Sequence, residues 1–466
     1  MAALLNTLND WLYSYLLIGA LIGCALWFTF KTKFLQFRYV GEMCRQLVSS
    51  GPRQEGRQIT SYQAFIVSLA GRVGTGNIAG VATALALGGV GAVCWMWLIA
   101  LLGAATAFLE GTLAQLYKQR AGEGYIGGPA YYMLHGLGNR RLAVAFALMS
   151  ALSLGLVCNS VHSNTICMAF QEGFGLSPLY MGVGLAVLSM AVFMGGIRRI
   201  AVVSSYIVPF MALGYVGLSL YVTLTHLSAL PGLLLQMVRE AFDWQAVAGG
   251  GMGAAFMQGV KRGLYSNEAG WGTAPNVAAT AEVSHPVKQG LIQSLGVFVD
   301  TLIICSATAF IGMLSGLNLR GGLSGIQLTQ QALASEVGSW SVAFVAVAVF
   351  LFAFSTLLSN YYYGETNLRF ITSSRWTRRL YQLLAALMVL AGALLSFEVT
   401  WSLADLVMGL MTLCNLYALV RLFPQVLLLL RDWQHRRAAS SEAAFTKSSL
   451  PPEVASKVSL WDSPPA

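Results

Sequence analysis

Apolar residues run along this chain in long stretches divided by short polar loops. A hydrocarbon core about 30 Å thick takes roughly 20 apolar residues per helical crossing. Stretches of that kind recur at about 12–30, 62–87, 92–117, 141–171, 178–196, 201–225, 247–283, 289–316, 340–364, 379–397 and 401–421. They predict an all-α integral membrane protein with about 11 transmembrane helices. Two of the runs, 62–87 and 247–283, are rich in glycine and polar residues and make poor plain lipid anchors.

Composition agrees with lipid as the solvent. The 466 residues are 56% hydrophobic and 10% charged, against about 25% charged in an ordinary soluble domain. The net charge of +9 raises the question of nucleic acid, and the placement of the basic residues answers it. No Lys or Arg precedes the first span, whereas Lys31, Lys33, Arg38, Arg45, Arg53 and Arg57 follow it. By the positive-inside rule the N-terminus lies outside. With eleven crossings the later inward loops carry Lys118, Arg120, Arg140 and Arg141, then Arg198 and Arg199, then Arg369, Arg375, Arg378 and Arg379. The two longer outward loops hold only Arg239 and Arg320. The basic excess is topological, with anionic lipid as its partner and no nucleic acid implied.

Two spans are interrupted by their own composition. Ala70-Gly71-Arg72-Val73-Gly74-Thr75-Gly76-Asn77-Ile78-Ala79-Gly80 holds four glycines beside an arginine. Each interior glycine costs about 1 kcal/mol relative to alanine, which favours unwinding. Groups freed in lipid must line a buried cavity or hold a ligand. Free N–H groups suit a carboxylate, and free C=O groups suit an ammonium or a sodium ion. Close packing of small residues such as Gly76 and Gly80 is the competing reading, but it accounts for neither Asn77 nor Arg72. The second interruption, Ser266-Asn267-Glu268-Ala269-Gly270-Trp271-Gly272, lies between Lys261-Arg262 and Pro275.

The interrupted spans are the second and the seventh, five apart. That is the pattern of an inverted-repeat transporter: an extra N-terminal helix (1–31), then five-helix units at 62–225 and 247–431, in a 5+5 inverted repeat. Five is odd, so the second unit enters from the opposite membrane side. After Arg437 the chain is rich in Ser, Pro and charge, and 438–466 reads as a disordered cytoplasmic tail.

Gly74-Thr75-Gly76-Asn77-Ile78-Ala79-Gly80-Val81-Ala82, Gly127-Gly128-Pro129, Arg262 through Gly270, His285-Pro286 and Tyr362-Tyr363-Gly364-Glu365 resemble the alanine or glycine:cation symporter family over about residues 15–425. The resemblance implies the fold shared with neurotransmitter:sodium symporters, and a bacterial inner-membrane carrier that moves a small amino acid with sodium. It also implies roles. The N–H groups of Thr75 and Gly76 would meet the substrate carboxylate, with Asn77 holding the site. The carbonyls of Ala70 and Val73 would face sodium, opposite the hydroxyls of Ser355 and Thr356. Trp271 either closes over a small side chain or anchors at the interface. Where the family has Gln-x-Asn, this chain has His162-Ser163-Asn164. His162 binds a ligand, couples protons by titrating near neutral pH, or is structural.

Arg72, embedded at membrane depth, is expected to pair with Glu110, Glu268 or Asp300, or else to reach the cavity and admit a larger or more acidic substrate. The seven cysteines fit neither a zinc site nor a disulfide framework, and no phosphate loop, zinc-protease or nucleophile-elbow motif occurs. No cofactor and no obligate protein partner is implied. An intramembrane enzyme built on Glu110, Asp300 and His162, a channel with a glycine-lined filter, and a proton-coupled carrier remain as alternatives to sodium symport.

Overall fold

In the computed structural model the described residues are 2–49, 59–122, 124–243, 253–319, 321–323, 325–439 and 445–462. Arg53, Arg57, Arg320 and residues 247–252 of the seventh expected span lie outside them.

Helices occupy the apolar runs. Among the described residues six are long and apolar enough to cross a membrane, and the bent pair Ser61–Arg72 and Gly76–Gly88, kinked by 47°, makes seven if counted as one broken span. Arg140–Phe174 and Pro286–Leu314 are among the six, each running through a stretch of π-helix, Ser153–Cys158 and Val299–Cys305. The expected span 178–196 falls on the shorter Pro178–Phe193, and 379–397 falls on Arg375–Leu394. The last expected span is part of Phe397–Ala439, which runs on well past residue 421. Among the described residues the seventh holds two short helices, Ala254–Asn267 and Pro275–Ala278, with irregular backbone between them. The eleven apolar runs thus fold into helices of very unequal length.

Burial separates inner from outer helices. Trp340–Ile371 is enclosed over most of its length, with Phe352, Ser355, Leu357, Ser359, Tyr361 and Tyr363 fully buried. Gly196–Thr225 presents Tyr206, Phe210 and Leu213, each at least 75% exposed. Large apolar side chains standing free on one face of a helix are what a lipid-facing surface requires. Glycines let the inner helices approach closely: a Cβ at Gly290 would meet the Phe108 carbonyl, and one at Gly392 would meet the Ser160 backbone.

Between the membrane helices lie pieces that hydropathy did not mark. A hairpin pairs Gln119–Ala121 with Gly124–Ile126. Two further helices, Leu230–Ala241 and Gly325–Val337, pack as connectors. Glu240 accepts a hydrogen bond from the Val90 N–H at 3.1 Å, which holds the first of these connectors on the start of Gly91–Leu116.

The tail departs from its polar composition. Expected to be disordered from 438, it continues as helix to Ala439, and residues 445–462 fold back onto the protein. Phe445 is fully buried against the His285 ring, with its N–H on the Ser284 carbonyl at 2.8 Å. The Trp461 indole N–H donates to the Gln115 carbonyl at 3.2 Å. The Lys118 ammonium lies between the Tyr125 and Trp461 rings and donates to the Ala281 carbonyl at 2.9 Å. Burial pushes the Lys118 ammonium down to about 7, and Glu282 pulls the other way. The physical reason is that four apolar side chains, Phe445, Leu450, Val458 and Trp461, find cover, and two aromatics supply large buried area. Average composition conceals so sparse a pattern.

Trp461→Ala removes the largest of these anchors. The expected outcome is release of the tail, read as tryptic cleavage at Lys447 and Lys457 at least about tenfold faster than in the wild type. Unchanged cleavage would show that Trp461 is not needed to hold the segment.

Candidate functional site

The first break is built by one side chain diverting the backbone. In an uninterrupted helix the Gly74 N–H would bond to the Ala70 carbonyl, four residues back. Here it donates to Asn77 Oδ1 at 2.8 Å, and Ser61–Arg72 ends on Val73, whose N–H still reaches the Leu69 carbonyl. The carbonyls of Ala70 and Val73 are thereby turned to Thr356, whose Oγ1 lies 2.8 and 3.2 Å from them. Gly74 has no substitute at this point, since a Cβ there would overlap Thr356 Oγ1. Beyond the break, Thr75 and Gly76 begin the second half-helix, where N–H groups have no intrahelical acceptor.

The expected site residues fall into three groups. Ala70, Val73 and Thr356 meet directly, a hydroxyl and two carbonyls forming the oxygen-rich set that a hard cation prefers. Ser355 is fully buried beside them, and its hydroxyl back-bonds to the Phe352 carbonyl at 2.9 Å. Thr75, Gly76, His162 and Trp271 line one narrow cavity, and Thr356 lines it as well. Asn77 points away from that cavity: its Nδ2 donates to Asp300 Oδ1 at 2.7 Å and lies 3.3 Å from Cys305 Sγ. Ser266, from the second interruption, donates to Asp300 Oδ2 at 2.7 Å. Asp300 thus ties the two interrupted segments together.

The second interruption is held by Glu110. Its carboxylate accepts from the Gly270 N–H at 3.2 Å, the Gly272 N–H at 2.8 Å and Asn415 Nδ2 at 2.6 Å. Asn415 also donates to the Gly270 carbonyl, so an acid and an amide from two other helices replace the missing helical pairing. Gly270 and Gly272 both take positive φ, 92° and 78°, where a Cβ is disfavoured. This sets Trp271 inward, 2% exposed, edge-on to Tyr265 at 5.6 Å. The interior position leaves no interfacial anchor role for Trp271.

His162 spans the cavity between two partners. Asn360 Nδ2 donates to its Nε2 at 3.1 Å. The ring proton therefore sits on Nδ1, which faces Thr75 Oγ1 at 3.1 Å. Both ring nitrogens are occupied by protein, so His162 fixes Thr75 and Asn360 and offers a bound molecule its carbon edge.

Arg72 does not form the ion pair expected of it. Its Nη1 donates to the Gln293 carbonyl at 3.3 Å, in space left by Gly296. Among the described residues no carboxylate lies within ion-pair distance of it, and Nε and Nη2 have no partner. The acids expected to pair with it are engaged elsewhere: Glu110 by backbone N–H groups, Glu268 by the Thr273 hydroxyl, Asp300 by Asn77 and Ser266. Arg72 is among the residues that line the cavity, as is Glu268.

Asn360, Tyr265 and Glu268 are cavity residues that the motifs did not single out as binding residues. Asn360 had a signal available, since it lies four residues after Thr356 and hence on the same helix face.

The chain matches the family model described as the sodium:alanine symporter family over residues 1–447. It is 46% identical over 95% of its length to a Bacillus subtilis protein described as a probable sodium/glutamine symporter, covering 92% of that protein. It is 34% identical over 90% of its length to the sodium/alanine symporter AgcS of Methanococcus maripaludis, covering 94% of it. Among solved structures, MhsT in complex with L-phenylalanine aligns with a TM-score of 0.58 at 13% identity, over 88% of this chain and 94% of that one. That likeness concerns the fold alone.

Thr356→Ala deletes the one side-chain oxygen facing both freed carbonyls. The expected outcome is that the sodium concentration needed to stabilise the purified protein against heat rises about tenfold or more, as loss of a charge-assisted contact implies. An unchanged sodium response would remove Thr356 from any cation site.

Proposed function

Because the chain belongs to the sodium:alanine symporter family, we propose that it carries a small neutral amino acid of the alanine or glycine class together with sodium by alternating access. It is a multi-pass membrane protein and a sodium-coupled secondary transporter, not an enzyme. The observation that carries the reading is the join at the first break. Thr356 Oγ1 meets the carbonyls of Ala70 and Val73 on one side, and Thr75 and Gly76, at the start of the second half-helix, line the same cavity on the other. A cation and a carboxylate held so close attract each other across a water-poor interior. Each ligand therefore raises the affinity for the other, by the same factor in both directions, and that is what coupling two cargoes requires.

In this reading Thr75 and Gly76 hold the substrate carboxylate, and Ala70, Val73, Ser355 and Thr356 form the sodium side. Asn77 keeps the break open from outside the cavity, His162 braces its wall, and Trp271 closes over the substrate side chain. The units 62–225 and 247–431 rock about this site. Asp300, bonded to Asn77 and Ser266, makes the two interruptions move together. The basic loops support an N-terminus outside and a C-terminus in the cytoplasm by the positive-inside rule, in a reading that puts the protein in a bacterial inner membrane with lipid as the surrounding partner. A reporter at residue 1 labelled from outside the cell tests that orientation; labelling only after lysis would reverse it.

The deciding experiment is uptake of labelled alanine or glycine into proteoliposomes under an imposed sodium gradient. Concentrative uptake that vanishes when the gradient is collapsed is expected. Uptake that persists after collapse would overturn symport, and uptake driven by a proton gradient alone would overturn the choice of ion.

A further inference from the structure

We propose that residues 445–462 form an autoinhibitory strap that holds shut the path from the central cavity to the tail's side of the membrane, so that each transport cycle needs the segment to leave its seat. The proposal rests on the alternating-access reading above and adds a brake to it.

The first broken helix shows where that path would open. Ser61–Arg72 ends at the break around Gly74, so the half-helix can turn there as one piece once its far end is free. That far end is pinned. Ile59 forms a parallel bridge with Ala281, and the Glu282 N–H donates to the Ile59 carbonyl at 3.2 Å. The helix starts directly after the bridge, where Thr60 Oγ1 accepts from the Gln63 N–H at 3.1 Å.

The tail bears on the segment that does the pinning. The Ala281 carbonyl accepts from Lys118 Nζ and from Gln115 Nε2, both at 2.9 Å. Trp461 holds both donors from behind: its ring faces the Lys118 ammonium at 4.9 Å, and its indole N–H donates to the Gln115 carbonyl at 3.2 Å. Three residues on, the Ser284 carbonyl accepts from the Phe445 N–H at 2.8 Å, and the Phe445 ring stands edge-on to His285 at 5.0 Å. Freeing Ile59 while the tail is seated pulls against all of these contacts together.

The strap also joins the two five-helix units. Its chain follows Phe397–Ala439, which belongs to the second unit. Yet Lys457 Nζ donates to the Gly136 carbonyl at 3.4 Å, and Ser459 Oγ accepts from Gln119 Nε2 at 2.8 Å, both in the first unit. The Lys447 N–H on the Trp461 carbonyl, at 2.8 Å, closes the segment into a loop. Units that rock must stretch or shed such a tie.

A permanent cap would be more firmly built. The regular structure of the strap is two short turns, Lys447–Ser449 and Pro452–Ala455, and Ser448, Ser449, Ser456 and Lys457 are exposed. Trp461 takes φ 77°, where a bulky side chain is strained, and such strain persists only while the surrounding contacts hold. Few buried anchors and a strained end make a segment that opens locally with ease. A contact made in one state of the carrier and lost in the other biases the equilibrium toward the first, which is how a brake works.

Proteoliposomes with an imposed sodium gradient give the first readout. Deletion of residues 445–466 and, in the full chain, Trp461→Ala are each expected to raise the maximal rate of alanine uptake at least about threefold. Cys158, buried on the cavity lining, gives the second. A membrane-impermeant thiol reagent added on the tail's side should label it at least about threefold faster in both variants, with Cys158→Ser as the blank. The converse test fastens the strap: Gln119→Cys with Ser459→Cys, joined by a reducible bismaleimide, should slow uptake about tenfold or more until reductant is added, whereas either single cysteine treated alike should not. Unchanged uptake and unchanged Cys158 labelling in the release variants would overturn the strap, as would slower uptake by variants that melt at the wild-type temperature. If the deletion unfolds the protein, the cross-linked full chain decides, and continued transport with the strap fastened would overturn it. Absence of sodium-driven alanine uptake by the wild type would strike the symport reading itself.

Discussion

Inside a bilayer, a backbone N–H or C=O without a partner costs several kcal/mol, and this chain breaks its helical pairing at two places in its interior. The first break survives because Asn77 takes the Gly74 N–H, which would otherwise have closed the helix onto Ala70. The Ala70 carbonyl then turns to Thr356, on a helix nearly 290 residues away in sequence. The second survives because Glu110 and Asn415 supply the partners that Gly270 and Gly272 lack. Buried polar residues at membrane depth, individually expensive, are used in both places to satisfy backbone that lipid cannot.

This arrangement also explains why so many ionisable groups tolerate the interior. Glu110 and Asp300 each accept several hydrogen bonds, which is the condition under which a buried carboxylate is acceptable. Arg72 is the exception, with a single carbonyl contact and two idle nitrogens on the cavity wall.

The tail shows a different balance. Its composition is that of a solvated segment, yet two aromatics bury themselves against the inner loops and trap Lys118 between rings. These contacts link the end of Phe397–Ala439 to the loops around Gln115 and Ser284, so the last segment ties together parts of the molecule far apart in sequence.

Much of this protein was legible from the chain alone. Long apolar runs name a membrane protein because lipid admits little else, and glycine clusters mark the breaks because glycine penalises helix wherever it occurs. Both are local properties, summed over neighbours in sequence. The tertiary structure alone decided the pairings. Asn77 lies next to the cavity in sequence and outside it in space, while Arg72 meets a carbonyl because every acid within reach already had donors. Asn360 became part of the cavity through His162, a residue on another helix. Such choices depend on which helices touch and on which partners are already taken, and side chains compete for partners only after the chain has folded.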